Sequence, residues 1–199
     1  MSVKKFLKET EPAVQHMFAA LDHYNGLKPF RKEYYKKNGC AQARKEVIKF
    51  LGRNINSMGL DMAKVTLCGA IVQVAYSAIK QYSKNGAIPI SCGRLDIPID
   101  NEKAGFYIGR EVHGIPMGLL IFAAREQYSN WELGTPSNPI AKGIFEHLRS
   151  LRNRDIWQDL LYELDWPVKR PAAHYIIQKE LKWLSYDDYI SDMSQALSM

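Results

Sequence analysis

One segment of this chain gathers side chains able to act on an anion. Arg125-Glu126-Gln127-Tyr128-Ser129-Asn130 follows directly on the apolar run that ends Leu119-Leu120-Ile121-Phe122-Ala123-Ala124. A guanidinium keeps its charge at any ordinary pH and is costly to strip of water. At the polar end of a buried helix it requires an acidic partner, an interface or an anionic ligand. On a continuous helix Arg125 and Ser129 share a face, as do Glu126 and Asn130. Arg125 and Asn130 stand about 140° apart by the helix repeat. They converge on one ligand only where the helix frays or where two copies of the chain meet.

Other chemistry is sparse. The sequence has no P-loop, G-x-G-x-x-G, H-E-x-x-H or G-x-S-x-G. The histidines at 16, 23, 113, 147 and 174 are not paired at metal-ligand spacing. No metal and no cofactor are therefore expected. Asp187-Asp188 reads as a pair of capping residues at a helix start. Cys40, Cys68 and Cys92 are an odd, scattered set, and read as idle thiols in a reducing compartment.

The elements that must position this segment read as helices. Val14, Met17, Phe18 and Leu21 form a stripe on a first helix over Val3–Tyr24, which Asn25-Gly26 ends, with Pro29 opening a connector. A second helix is expected over Ala41–Asn56, closed by Ser57-Met58-Gly59. A third, over Asp61–Ser83, is apolar around almost its whole circumference and belongs at the centre of a bundle. Lys84-Asn85-Gly86 stops it. Residues 86–113, rich in Pro and Gly, read as an irregular insert with a short hairpin, strands near 94–99 and 104–108. A fourth helix enters at Pro116, where a missing N–H costs nothing. Shorter helices follow at Pro139–Arg149, Arg154–Leu164 and Ala172–Met193.

Length and composition agree with an all-α fold. A chain of 199 residues suits one domain, here a core bundle over about 1–135 with a helical extension over 136–199. With 46% apolar and 24% charged residues, disorder is not indicated. The N-terminus lacks the apolar core of a signal peptide. The uncharged stretch Val65–Ile79 is 15 residues, too short to span a bilayer. A soluble, cytoplasmic protein is the expectation. The net charge of +6 favours a polyanionic partner, and the Lys/Arg cluster from Lys28 to Lys49 is its densest part.

The stretch Gly109-Arg110-Glu111-Val112-His113-Gly114-Ile115-Pro116-Met117-Gly118-Leu119-Leu120-Ile121-Phe122-Ala123-Ala124-Arg125-Glu126-Gln127-Tyr128-Ser129-Asn130-Trp131 resembles the signature region of bacterial HEPN-domain proteins. Their pattern is an arginine, four to six residues, then a histidine, on a helix of an all-α bundle. The resemblance covers about 25 residues, a tenth or so of the chain. It implies a metal-independent endoribonuclease of a bacterial defence or toxin–antitoxin system, in which two protomers face their motifs across a composite cleft. Arginines would hold the scissile phosphate while histidines exchange protons as the ribose 2′-hydroxyl attacks. Mapped here, Arg125 and Asn130 take the catalytic positions, and Glu126, Gln127, Tyr128 and Ser129 the substrate-binding ones. RNA, a second copy of the chain and an antitoxin protein are the implied partners.

The histidine position holds Asn130, whose carboxamide exchanges no proton near neutral pH. Losing acid–base assistance costs roughly 10²–10⁴-fold in rate. Either the chain is a natural or engineered inactive form, or another histidine substitutes. His113 is the first candidate, about 20 Å of helix away. A non-catalytic RNA- or protein-binding module (antitoxin, immunity protein or regulator) is the alternative, and a helical scaffold with Arg125 in an internal ion pair is the third reading.

Overall fold

The computed structural model describes residues 1–38, 57–89, 92, 97–98, 100–130, 138–151 and 172–198, with backbone only for 26–38 and 57–61. They are mostly helical, and one two-stranded hairpin is the only sheet among them. The elements are α1 (Val3–Asn38), α2 (Ser57–Tyr82), a 3₁₀ helix (Asn101–Phe106), β1 (Glu111–Val112), β2 (Ile115–Pro116), α3 (Met117–Ser129), α4 (Pro139–Ser150), α5 (Ala173–Tyr175, continuing as a π turn over Ile176–Glu180) and α6 (Tyr186–Ala196). The helices expected at Ala41–Asn56 and Arg154–Leu164 lie outside the described residues.

α1 does not stop at Asn25-Gly26 and passes through Pro12 and Pro29. The side chain expected to cap it has another partner, since Asn25 Oδ1 accepts from the buried Lys64 Nζ at 2.9 Å. Each internal proline forfeits one helical hydrogen bond, and burial of Leu7, Val14, Phe18 and Leu21 against the core offsets that loss. Ser57-Met58-Gly59 belongs to α2.

α2 is the central rod and packs against α1, α3 and α5. Cys68, Ile71, Val72, Ala75, Ala78 and Ile79 are sealed from solvent. By length and composition alone its Met62–Tyr82 stretch suffices to cross a membrane, longer than the 15 uncharged residues suggested. Half of its apolar window (50%) is buried inside the fold. The helix ends where expected, and Asn85 Nδ2 then ties the following chain down by donating to the carbonyls of Ala87 and Ala104, both at 2.7 Å.

Among the described residues the insert is irregular, as expected, and a hairpin follows it at 111–116; the strand expected near 94–99 falls mostly outside the described residues. Residues 104–106 sit in the 3₁₀ helix, whose first turn is capped by Asp100 Oδ1 accepting from Glu102 N at 2.8 Å. The strands are Glu111–Val112 and Ile115–Pro116, joined by His113-Gly114 with φ of +55° and +79°. Two successive left-handed residues give the turn that matches strand twist. Pairing places Val112 against Ile115 and lets Met117 N donate to Arg110 O at 2.9 Å, so the hairpin runs straight into α3.

α3 is buried from Met117 to Ala124 without interruption. α4 matches its expected span. Asn138 Oδ1 caps it by accepting from Ile140 N at 2.9 Å, and Ile140, Ala141, Ile144, Phe145 and Leu148 form its inner face. The helix expected over Ala172–Met193 is two. The chain leaves the π turn, reaches φ +55° at Lys182, and restarts at α6. A capping box forces the restart: Ser185 Oγ accepts from Asp188 N while Asp188 accepts from Ser185 N. Asp187 and Asp188 thus occupy the first turn, as the sequence suggests. Desolvation pushes the Asp188 carboxyl up, but hydrogen bonds from Ser185 and Leu184 outweigh it, holding the group below its usual range.

Two outcomes follow. A Cβ at Gly118 would stand 2.4 Å from the Phe106 carbonyl oxygen, a backbone atom that cannot step aside. Gly118→Ala should cost about 2 kcal/mol in urea denaturation. Asp188→Ala should cost about 1 kcal/mol at pH 7. A depressed carboxyl pKa stabilises above the unfolded value, about 3.9, and the gain is lost as pH falls through the folded value. The gap between the two proteins should therefore close in titrations below about pH 4.

Candidate functional site

α3 carries Arg125 just beyond its buried stretch. The guanidinium lies over the Tyr76 ring of α2, 5.0 Å from the centroid, and Nη1 donates to Glu126 Oε1 at 2.7 Å. Arg125 Nε is shut away from solvent with no hydrogen-bond partner among the described residues, although the side chain as a whole is 32% exposed. Lys80 stands over the same ring at 5.9 Å. Phe106 stacks on Tyr76 at 5.0 Å and fixes the platform.

The remaining residues of the segment divide by helix geometry. Gln127 lies inside the fold, where its Oε1 accepts from Ala172 N at 2.6 Å and joins α3 to the start of α5. Tyr128 is half-buried, its ring filling the space a side chain would occupy at Gly69, where a Cβ would come within 2.2 Å. Ser129 is exposed. Asn130 leaves the helix as its C-cap, and Nδ2 donates to Glu126 O at 3.0 Å. Arg125, Glu126 and Asn130 are therefore one connected group, with Glu126 contributing its carboxylate to one and its carbonyl to the other. Gln127 and Tyr128 are engaged in packing. Trp131 lies outside the described residues.

A second polar cluster sits at the opposite end of α3. Glu180 is buried in the π turn, where one carboxylate oxygen accepts from Tyr175 Oη and the other meets His113 Nε2 at 3.1 Å. His147, in the last turn of α4, approaches the His113 carbonyl through Nε2 at 3.3 Å. Three residues before His113, Arg110 grips Asp192 of α6 through Nε and Nη2 at 3.0 Å and donates to Leu181 O. Trp183 Nε1 donates to the same Asp192 at 2.7 Å. The hairpin is thus clasped to the C-terminal segment at two points. A left-handed non-glycine residue, a π turn and a buried carboxylate coincide there, features that concentrate at functional sites.

Of this cluster the sequence singles out only His113. Glu180 and Tyr175 are hidden in a span that reads as one ordinary helix, and the signal that reveals them is burial of a charge. Thirteen residues of α3, about 20 Å, separate His113 from Asn130. Among the described residues no three His, Cys, Asp or Glu side chains are grouped to hold a metal ion.

Comparison with protein-family models, curated proteins and solved structures finds no match to this chain.

Glu180→Ala removes the acceptor of both Tyr175 and His113 and should cost about 2 kcal/mol in urea denaturation. His113→Ala, which removes a half-exposed ring, should cost less than half as much.

Proposed function

We propose that this chain is a HEPN-like helical domain that binds RNA without cutting it, an inactive derivative of a metal-independent endoribonuclease working as a dimer in a bacterial defence or toxin–antitoxin setting. The observation that carries the reading is the state of Asn130. Its carboxamide is the C-cap of α3 and is bonded to Glu126 O at 3.0 Å. A group so placed neither takes a proton from a ribose hydroxyl nor delivers one to a leaving oxygen. Anion recognition is supported by Arg125 and Lys80 over one aromatic ring and by the net charge of +6.

The Arg125–Glu126 pair at 2.7 Å favours a second reading, in which this end of α3 is a structural lock with no ligand. A phosphate must compete with Glu126 for the guanidinium, and measurement separates the two.

Fluorescence anisotropy with a single-stranded RNA oligonucleotide should show binding that weakens as salt rises. Arg125→Ala should weaken it about tenfold, the order expected for one charge-assisted contact. Asn130→His should gain metal-independent cleavage visible on a denaturing gel. RNA affinity indifferent to Arg125→Ala, together with an inert Asn130→His, would leave only the structural lock.

A further inference from the structure

A cleft of about 650 Å³ opens between the start of α1, the end of α2 and the end of α6, and none of the residues of the two polar clusters lines it. Its size lies in the range that holds a small organic ligand. The lining divides by chemistry. Val3, Ile108, Ala196 and Leu197 supply apolar wall, while Ser83 and Lys84 bring a hydroxyl and a cation. Among the described lining residues no side chain is acidic.

Tyr82 also lines the cleft. Its hydroxyl is sealed from solvent and has no hydrogen-bond partner among the described residues. The phenol ring packs at a tilt against Phe6, with ring centroids 5.6 Å and planes 53° apart. A buried hydroxyl left unmatched is costly, and a structure that keeps one beside a cavity calls for a partner within that cavity. The Ser83 hydroxyl already accepts from Asn85 N at 3.3 Å, so its own proton remains to be donated. The wall therefore offers two O–H donors and an ammonium group, and among the described residues no negative charge opposes an anion there.

We propose that this cleft is a binding site for a small amphiphilic anion, with a carboxylate or phosphate head on a short apolar tail. The head takes the Lys84 ammonium and the Tyr82 and Ser83 hydroxyls. The tail lies along Ile108, Ala196 and Leu197. This site is independent of the RNA reading at the far end of α3.

Isothermal titration calorimetry of the full chain tests it, with octanoate and octyl phosphate as probes for the two heads. At least one should bind, and the tighter identifies the head. Lys84→Glu should weaken that binding tenfold or more. Tyr82→Phe, which keeps the ring and removes only the donor, should weaken it about fivefold. Ala196→Trp, which fills the cleft, should abolish it, with circular dichroism reporting that each variant is folded. No heat with either probe, equal binding of neutral octanol, or undiminished binding in a folded Ala196→Trp variant would overturn the proposal. Inorganic phosphate should bind at least tenfold more weakly than octyl phosphate, and equal affinity would remove the apolar half of the site.

Discussion

Eight consecutive residues of α3, Met117 to Ala124, have no access to solvent. A helix normally buries one face and leaves the other wet, so this constraint fixes what surrounds it. α2 covers one side, α4 another, the 3₁₀ helix and the hairpin close the N-terminal end, and α5 closes the remainder. Even the backbone is drawn in. Gly118 N donates to Ile108 O at 3.0 Å, and the Phe106 carbonyl lies where any larger residue would carry its Cβ. Packing of this density leaves little freedom to relocate the side chains at either end. Each end of α3 consequently becomes a place where polar groups are held in one arrangement.

The two ends hold charge in different ways. At the C-terminal end Arg125 remains partly wet, rests on an aromatic face and has its neighbour Glu126 as counter-charge. Both side chains are only partly exposed, at 32% and 18%, so an anion that takes the guanidinium must displace a partly shielded carboxylate. At the N-terminal end Glu180 is dry and satisfied by Tyr175 and His113. Disturbing that group leaves buried polar atoms unmatched. The partly exposed pair retains the solvent access that a ligand needs, and the buried one suits holding the hairpin in place.

Much of the architecture was legible in the sequence. The all-round apolar character of α2, the proline entry to α3, the Asn138-Pro139 start of α4 and the acidic start of α6 each correspond to what is found. The departures share a cause, since tertiary contacts overrode local signals. Asn25-Gly26 is a good helix stop, yet Lys64 takes the asparagine oxygen. The strand expected near 104–108 gives way to a 3₁₀ helix over Asn101–Phe106, whereas the observed strands are set by a two-residue turn that tolerates His113 at positive φ. The candidate site was legible as a list of residues but not as an arrangement. Pairing of Arg125 with its immediate neighbour, the inward turn of Gln127 and the capping role of Asn130 depend on where α3 ends and on what α2 and α5 present to it.

The grip of Arg110 on Asp192 joins positions 82 residues apart. The hairpin that launches the central helix is thus fastened by a part of the chain synthesised long after it. Contacts of such separation form late, since a long loop must close first. A nascent polypeptide emerging from the ribosome therefore carries the apolar run of α3 with one flank bare until α5 has been made, and its hairpin unfastened until α6 follows. The final closure of this core waits for those later residues, and the delay opens a window in which a chaperone has something to hold.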